Sequence, residues 1–77
     1  MLWGTLIRTT RKSRGLTLVA LRDECGVDPS TVSRIENDQA IGHWDTVLTL
    51  RRILRLDDTS MLDAIARTLD SLKSRAS

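Results

Sequence analysis

The polar side chains of residues 28–37 have types and spacing that suit one chemical task. A helix turns about 100° per residue, so with Val32 at zero, Ile35 falls at about 300° and the apolar face centres at about 330°. The opposite face, centred at about 150°, carries hydroxyl, amide and guanidinium groups and no acid; its members are Ser30, Ser33, Arg34 and Asn37. An acid-free arc of hydrogen-bonding groups suits a polyanion, although a solvated helix face is the alternative.

Double-stranded DNA is the polyanion that these side chains fit. An arginine can bind O6 and N7 of a guanine together. Serine and asparagine reach base edges or phosphate oxygens. The arc therefore indicates a helix that presents its polar face to DNA.

Signals for a preceding helix and a tight turn lie immediately before this arc. Gly15 can close an earlier helix, and Thr17 is placed to accept hydrogen bonds from the amides that follow it. Apolar residues then recur at Leu18, Leu21 and Cys25, and Gly26 ends the run. Asp28, as the N-cap, and the proline after it mark the start of the next helix. The sequence predicts a helix–turn–helix over residues 17–37.

Three further helices are predicted around this unit, over residues 2–14, 44–55 and 58–73. Trp44 begins an apolar stripe that includes Leu48, so we expect it to be a packing aromatic. Asp58 or Thr59 can cap the last helix. Its apolar residues follow a 3, 4, 3 spacing that is typical of a coiled-coil seam: Leu62, Ile65, Leu69 and Leu72. We expect this seam to pack on the bundle and to form the dimer interface with a second copy.

Length and composition predict one small all-α domain over residues 1–77. The net charge is +2, and the basic excess lies in residues 1–56, which carry nine basic and six acidic side chains, against three and four in residues 57–77. One cysteine cannot form an internal disulfide, and no apolar stretch is long enough to span a membrane. We expect a cytoplasmic protein. We also expect no metal, cofactor, small-molecule ligand or catalysis, because no cluster of titratable residues is present.

The sequence resembles the Cro/cI-type (XRE) helix-turn-helix family of repressors. The pattern is carried by Arg11, residues 15–17, Leu21, residues 26–27, 30–33 and 35–37, and then residues 44–46 with Leu48, Leu50 and Leu54. The resemblance implies a compact five-helix, lambda-repressor-like DNA-binding domain. It implies base contacts from Ser30, Ser33 and Arg34. Phosphate contacts would come from Thr17, Asn37 and the start of the fourth helix at His43, and an ion pair would join Arg11 to Glu36.

Four positions depart from the pattern of this family. Leu18 stands where the family often has glutamine. Arg22 and Arg51 replace small residues, and Asp38 replaces the usual glycine after the recognition helix. These departures bear on the angle at which the domain docks, and not on its fold.

Two functions follow from these observations. The first is a sequence-specific DNA-binding regulator, acting as a repressor and as a homodimer on a near-palindromic operator. The second is an antitoxin or anti-repressor type of interaction module whose main ligand is a partner protein, suggested by the apolar last helix.

Overall fold

The computed structural model describes residues 1–76, which form five α-helices and no strand. The helices are α1 (Trp3–Ser13), α2 (Leu18–Cys25), α3 (Pro29–Glu36), α4 (Trp44–Leu54) and α5 (Asp58–Ala76). The predicted all-α five-helix bundle is confirmed. The largest difference in length is at α5, which continues three residues beyond the predicted end.

The hydrophobic core draws on all five helices. Each contributes apolar residues at helical spacing, and the buried set is Trp3, Ile7, Leu21, Val32, Ile35, Val47, Leu50, Leu54, Met61 and Ala64. Helix α1 packs against α3, α4 and α5, and α2 packs against α3 and α4. The second and third helices are therefore held from both sides by the rest of the bundle.

Helices α1 and α3 cross closely at Gly4. A Cβ atom placed on Gly4 would lie 2.2 Å from the carbonyl oxygen of Ile35 and 3.0 Å from that of Glu36. No side chain fits in that space. The close crossing fixes the distance between the first helix and the carboxyl end of α3.

Three helices end in the same left-handed turn. Gly15, Asp38 and Arg55 have φ angles of 69°, 60° and 54° after α1, α3 and α4. In each case the next amide donates to the carbonyl five residues before it, with N···O distances of 3.1, 2.9 and 3.0 Å. This geometry satisfies carbonyls that a helix end leaves open. Glycine is the residue that adopts it most easily, so Asp38 forms this turn with a less suited residue.

A buried hydroxyl group of α5 caps the start of α1. The Trp3 amide donates to Oγ1 of Thr68 at 2.8 Å, and the Thr68 hydroxyl donates to the carbonyl of Ala64 at 2.8 Å. Thr68 is 1% exposed. The indole Nε1 of Trp3 donates to the carbonyl of Ile41 at 3.0 Å. These bonds tie the first helix to the last helix and to the loop before α4.

The predicted N-cap of α5 is wrong. Asp57, and not Asp58 or Thr59, caps α5, because its carboxylate accepts from the amide of Ser60 at 2.9 Å. This hydrogen bonding from Ser60 lowers the pKa of Asp57. Asp58 instead pairs with Arg51 of α4.

The predicted packing role of Trp44 is also wrong. Its side chain is 60% exposed at the start of α4, and Leu48, one turn later, is 42% exposed. The core face of α4 consists of Val47, Leu50 and Leu54, which are completely or almost completely buried. At about 100° per residue, Trp44 and Leu48 lie about 110° from the centre of that face, on the flank of the helix.

Across the part of the chain that the structure describes, none of the helices combines the length and apolar character needed to cross a membrane.

Candidate nucleic-acid interface

Helix α3 has a buried face and an exposed polar face. Val32 and Ile35 are 0% exposed and belong to the core. Ser30 and Arg34 are exposed, and Ser33 is partly exposed between them. The two faces therefore lie on the sides that the angular pattern predicts, and the hydroxyl and guanidinium groups point away from the bundle.

The turn between α2 and α3 is short and well bonded. Oγ1 of Thr17 accepts from the amide of Ala20 at 3.0 Å, so Thr17 is the N-cap of α2 as the sequence predicts. The amide of Gly26 donates to the carbonyl of Arg22 at 2.7 Å and closes the helix. Helix α3 begins three residues later at Pro29. This local geometry holds α3 at a fixed angle to α2.

Arg11 and Glu36 form a two-point ion pair. Nε of Arg11 lies 2.7 Å from one carboxylate oxygen of Glu36, and Nη2 lies 3.1 Å from the other. The two side chains are 11% and 8% exposed. The bond to Glu36 raises the pKa of Arg11 against the opposing effect of desolvation. Nη1 also donates to the carbonyl of Leu16 at 2.7 Å, so one guanidinium links α1, the following turn and the end of α3.

The polar residues at the edges of α3 are placed differently from one another. Asn37 is exposed, and its side-chain amide donates to the carbonyl of Ser33 at 2.9 Å, which holds it against its own helix. His43 is exposed at the N-cap position of α4, where its side chain makes no capping bond. Arg34 and His43 both line an open cleft of about 340 Å³ between α3 and the loop before α4. The structure thus brings a guanidinium and an imidazole together beside the exposed face of α3.

Asp28 differs from its predicted role. It occupies the N-cap position of α3, but its side chain makes no capping bond to the helix amides. Its carboxylate instead accepts the hydroxyl hydrogen of Ser30. The polar arc of α3 is free of acid when only its helical residues are counted, and this contact places a carboxylate beside it. The sequence does contain a signal for this contact: an aspartate two residues before a serine at a helix start can bond to it locally.

The departures from the family pattern are accommodated at the surface. The Arg22 side chain is 50% exposed and lies 3.4 Å from the carboxylate of Asp23, so it does not separate α2 from α3. Arg51 turns toward Asp58 at the start of α5. Leu18 is partly buried and packs against the core.

Comparison with known proteins agrees with this geometry. A family model described as a helix-turn-helix domain matches residues 3–65, which is most of the chain. The chain belongs to this helix-turn-helix family. The match is to the helix-turn-helix domain in general, so the finer Cro/cI-type assignment stays a prediction.

One curated relative is a much longer protein. Over 63 residues, the helix-turn-helix chain is 36% identical to the WD40 repeat-containing protein smu1 of Dictyostelium discoideum. The alignment covers 78% of the helix-turn-helix chain but only 12% of that protein. No solved structure gives a significant match.

Proposed function

We propose that this helix-turn-helix protein is a sequence-specific regulator that binds double-stranded DNA with α3 in the major groove. The observation that carries the proposal is the exposed polar face of α3 on a helix whose other face is fully buried. A recognition helix must be held rigidly while its outer side chains reach base edges. The Arg11–Glu36 pair and the Gly4 crossing supply that rigidity at the carboxyl end of α3.

The side chains of the polar face divide into two roles. Ser30, Ser33 and Arg34 contact bases, with the guanidinium of Arg34 donating to O6 and N7 of a guanine. Contacts from Thr17, Asn37 and His43 fix the domain on phosphates. The basic excess of residues 1–56 supports this assignment, because the phosphates supply a large part of the affinity of such proteins.

The proposed regulator acts as a homodimer through α5 and represses transcription by occupying a near-palindromic operator. Leu62 and Leu69 are 55% and 54% exposed on the outer side of α5, and Ile65 and Leu72 are partly buried beside them. Pairing of two α5 helices would cover these leucines. Two recognition helices related by a twofold axis would then reach half-sites about one DNA turn apart.

A second candidate function is an antitoxin or anti-repressor that mainly binds a partner protein. The exposed apolar side chains of Trp44 and Leu48 on α4 favour it, because they add an apolar surface that DNA contact does not require. The two functions are compatible in one small protein. Retention of a specific protein by the wild type, and its loss on Trp44→Ala, would support this candidate.

The experiment that tests the proposal is selection of binding sites from random duplex DNA at physiological salt. We expect a twofold symmetric motif that contains a guanine in each half-site. The Arg34→Ala variant should bind the selected site about 1–3 kcal/mol more weakly and lose its preference at that guanine.

Arg67→Ala is the matched control, since Arg67 is an exposed arginine of α5 outside the proposed interface. It should leave both the motif and the affinity unchanged. Unaltered specific binding by Arg34→Ala would refute the role of Arg34. Recovery of only salt-sensitive, sequence-independent binding from the wild type would refute the regulator itself.

A further inference from the structure

Asp28 is an acidic residue beside the face that we propose to meet DNA. It is exposed, and its carboxylate is held next to Ser30. A carboxylate close to phosphates is repelled, and this one does not compensate by capping α3. Its position is therefore unfavourable for binding DNA in general. It is favourable only at a site where the DNA offers a hydrogen-bond donor.

The contact between Asp28 and Ser30 determines which hydrogen-bonding groups remain available. A serine hydroxyl has one hydrogen to donate and two lone pairs. In the structure that hydrogen is directed to the carboxylate of Asp28. The Asp28–Ser30 pair, at this corner of the domain, is therefore left with acceptors: the lone pairs of Ser30 Oγ and of the two carboxylate oxygens. The start of α3 thus presents acceptors, whereas Arg34, further along the same helix, presents donors.

The major groove limits what such an acceptor pair can bind. Its exocyclic donors are the N4 amino group of cytosine and the N6 amino group of adenine. Adenine carries the acceptor N7 beside its amino group, so a second protein acceptor meets a lone pair there. Cytosine carries no acceptor beside N4 in the groove. A corner with only acceptors therefore favours cytosine over adenine, and disfavours guanine and thymine because both present acceptors.

We propose that Asp28 is a specificity residue that accepts a hydrogen bond from N4 of a cytosine in each half-site, with Ser30 holding its carboxylate in place. The inference rests on the proposed function and adds a base preference to it. Asp28 immediately precedes α3, and Arg34 lies in the last turn of that helix. The cytosine therefore lies at a different base pair from the guanine that Arg34 binds.

Site selection with the Asp28→Asn variant tests this proposal. The Asp28 side chain is exposed and makes no bond to the helix amides, so the fold should be retained in this variant, and equal thermal melting of the two proteins would verify this. An amide has a donor and an acceptor and suits adenine. We expect the cytosine in the wild-type motif to change to adenine, with at least a tenfold loss of preference for cytosine, while the guanine stays. The control Asp70→Asn, on an exposed acid of α5, should select the wild-type motif.

A measurement on the DNA side does not depend on any protein variant. N4-methylcytosine keeps its pairing hydrogen but places a methyl group where the groove-facing N–H was. Replacing the selected cytosine by it should weaken wild-type binding about tenfold and leave Asp28→Asn almost unaffected.

The outcomes separate this inference from the function on which it rests. A symmetric motif that keeps its Arg34-dependent guanine, but shows the same base at the other position for wild type and Asp28→Asn, would overturn the role of Asp28 alone. Insensitivity of the wild type to N4-methylcytosine would do the same. A wild type that selects no motif would overturn the regulator and the role of Asp28 together.

Discussion

The guanidinium of Arg11 is a buried cation whose charge is balanced by the two oxygens of Glu36. Such a pair contributes little compared with an apolar replacement, but removing one partner leaves an uncompensated buried charge. Here that charge lies under the carboxyl end of the proposed recognition helix. The integrity of this pair therefore controls how firmly α3 is held.

We predict that Glu36→Gln lowers the free energy of unfolding by about 3 kcal/mol, because Arg11 then lacks an anionic partner. Urea unfolding followed by circular dichroism measures this. Asp63→Asn is the control, since the Asp63–Arg67 pair is exposed and should contribute about 0.5 kcal/mol. Equal losses in the two variants would contradict the structural role of the buried pair.

At single positions, prediction from the sequence worked for the residues inside α3. The angles placed Val32 and Ile35 in the core and Ser30 and Arg34 outside it. The angles could not be used for Asp28, because its backbone is non-helical, with φ −58° and ψ 133°. The value of 100° per residue applies only within a helix. Its side chain could therefore not be placed from the periodicity.

The elements depend on one another through Thr68, whose hydroxyl satisfies the first amide of α1. We predict that Thr68→Val, which keeps the shape and removes the hydroxyl, lowers the free energy of unfolding by about 1–3 kcal/mol. The cost arises because the Trp3 amide is left buried without a partner. Thermal and urea unfolding measure it.

Thr49→Val is the matched control for this loss. The Thr49 hydroxyl also donates to the carbonyl four residues before it, at 2.7 Å, but in an exposed part of α4. We expect a change of about 0.5 kcal/mol or less there. A Thr68→Val variant as stable as Thr49→Val would show that the α1–α5 bond does not stabilise the fold.

The helices could be predicted from local signals, and the contacts between them could not. Gly15, Gly26 and Pro29 mark helix ends through backbone geometry that acts within a few residues. The hydrogen bond from Trp3 to Thr68 joins residues that are 65 positions apart in the sequence, so no local pattern predicts it. The same reason explains the error at Trp44. The apolar stripe of α4 is wider than the surface that the neighbouring helices cover, and the sequence of α4 alone does not show which part of the stripe is covered.

For the whole molecule, the exposed leucines of α5 decide whether the domain works alone or in pairs. We predict that Leu69→Asp weakens self-association and DNA affinity together, because a charge would have to be buried in the paired helices. Analytical ultracentrifugation and DNA titration measure the two effects. A large loss of dimer with unchanged DNA affinity would separate dimerisation from binding.

Val19→Asp provides the comparison, since Val19 of α2 is 53% exposed against 54% for Leu69. The new charge is then introduced at equal exposure on a different surface. We expect Val19→Asp to leave the dimer intact. If Leu69→Asp also remains dimeric, the seam of α5 serves the bundle of one chain and the dimer uses another surface.

The hydrogen bond between Trp3 and Thr68 also has a consequence for chain connectivity. It brings Trp3, at the start of α1, next to Thr68 of α5. The eight residues of α5 that follow Thr68, up to Ala76, extend the helix about 12 Å further. A short peptide can bridge this distance between the start of α1 and the end of α5. The five helices are thus a candidate for circular permutation, with the chain opened between Gln39 and Ala40, which leaves the hydrogen bond from the Gln39 amide to Arg34 in place.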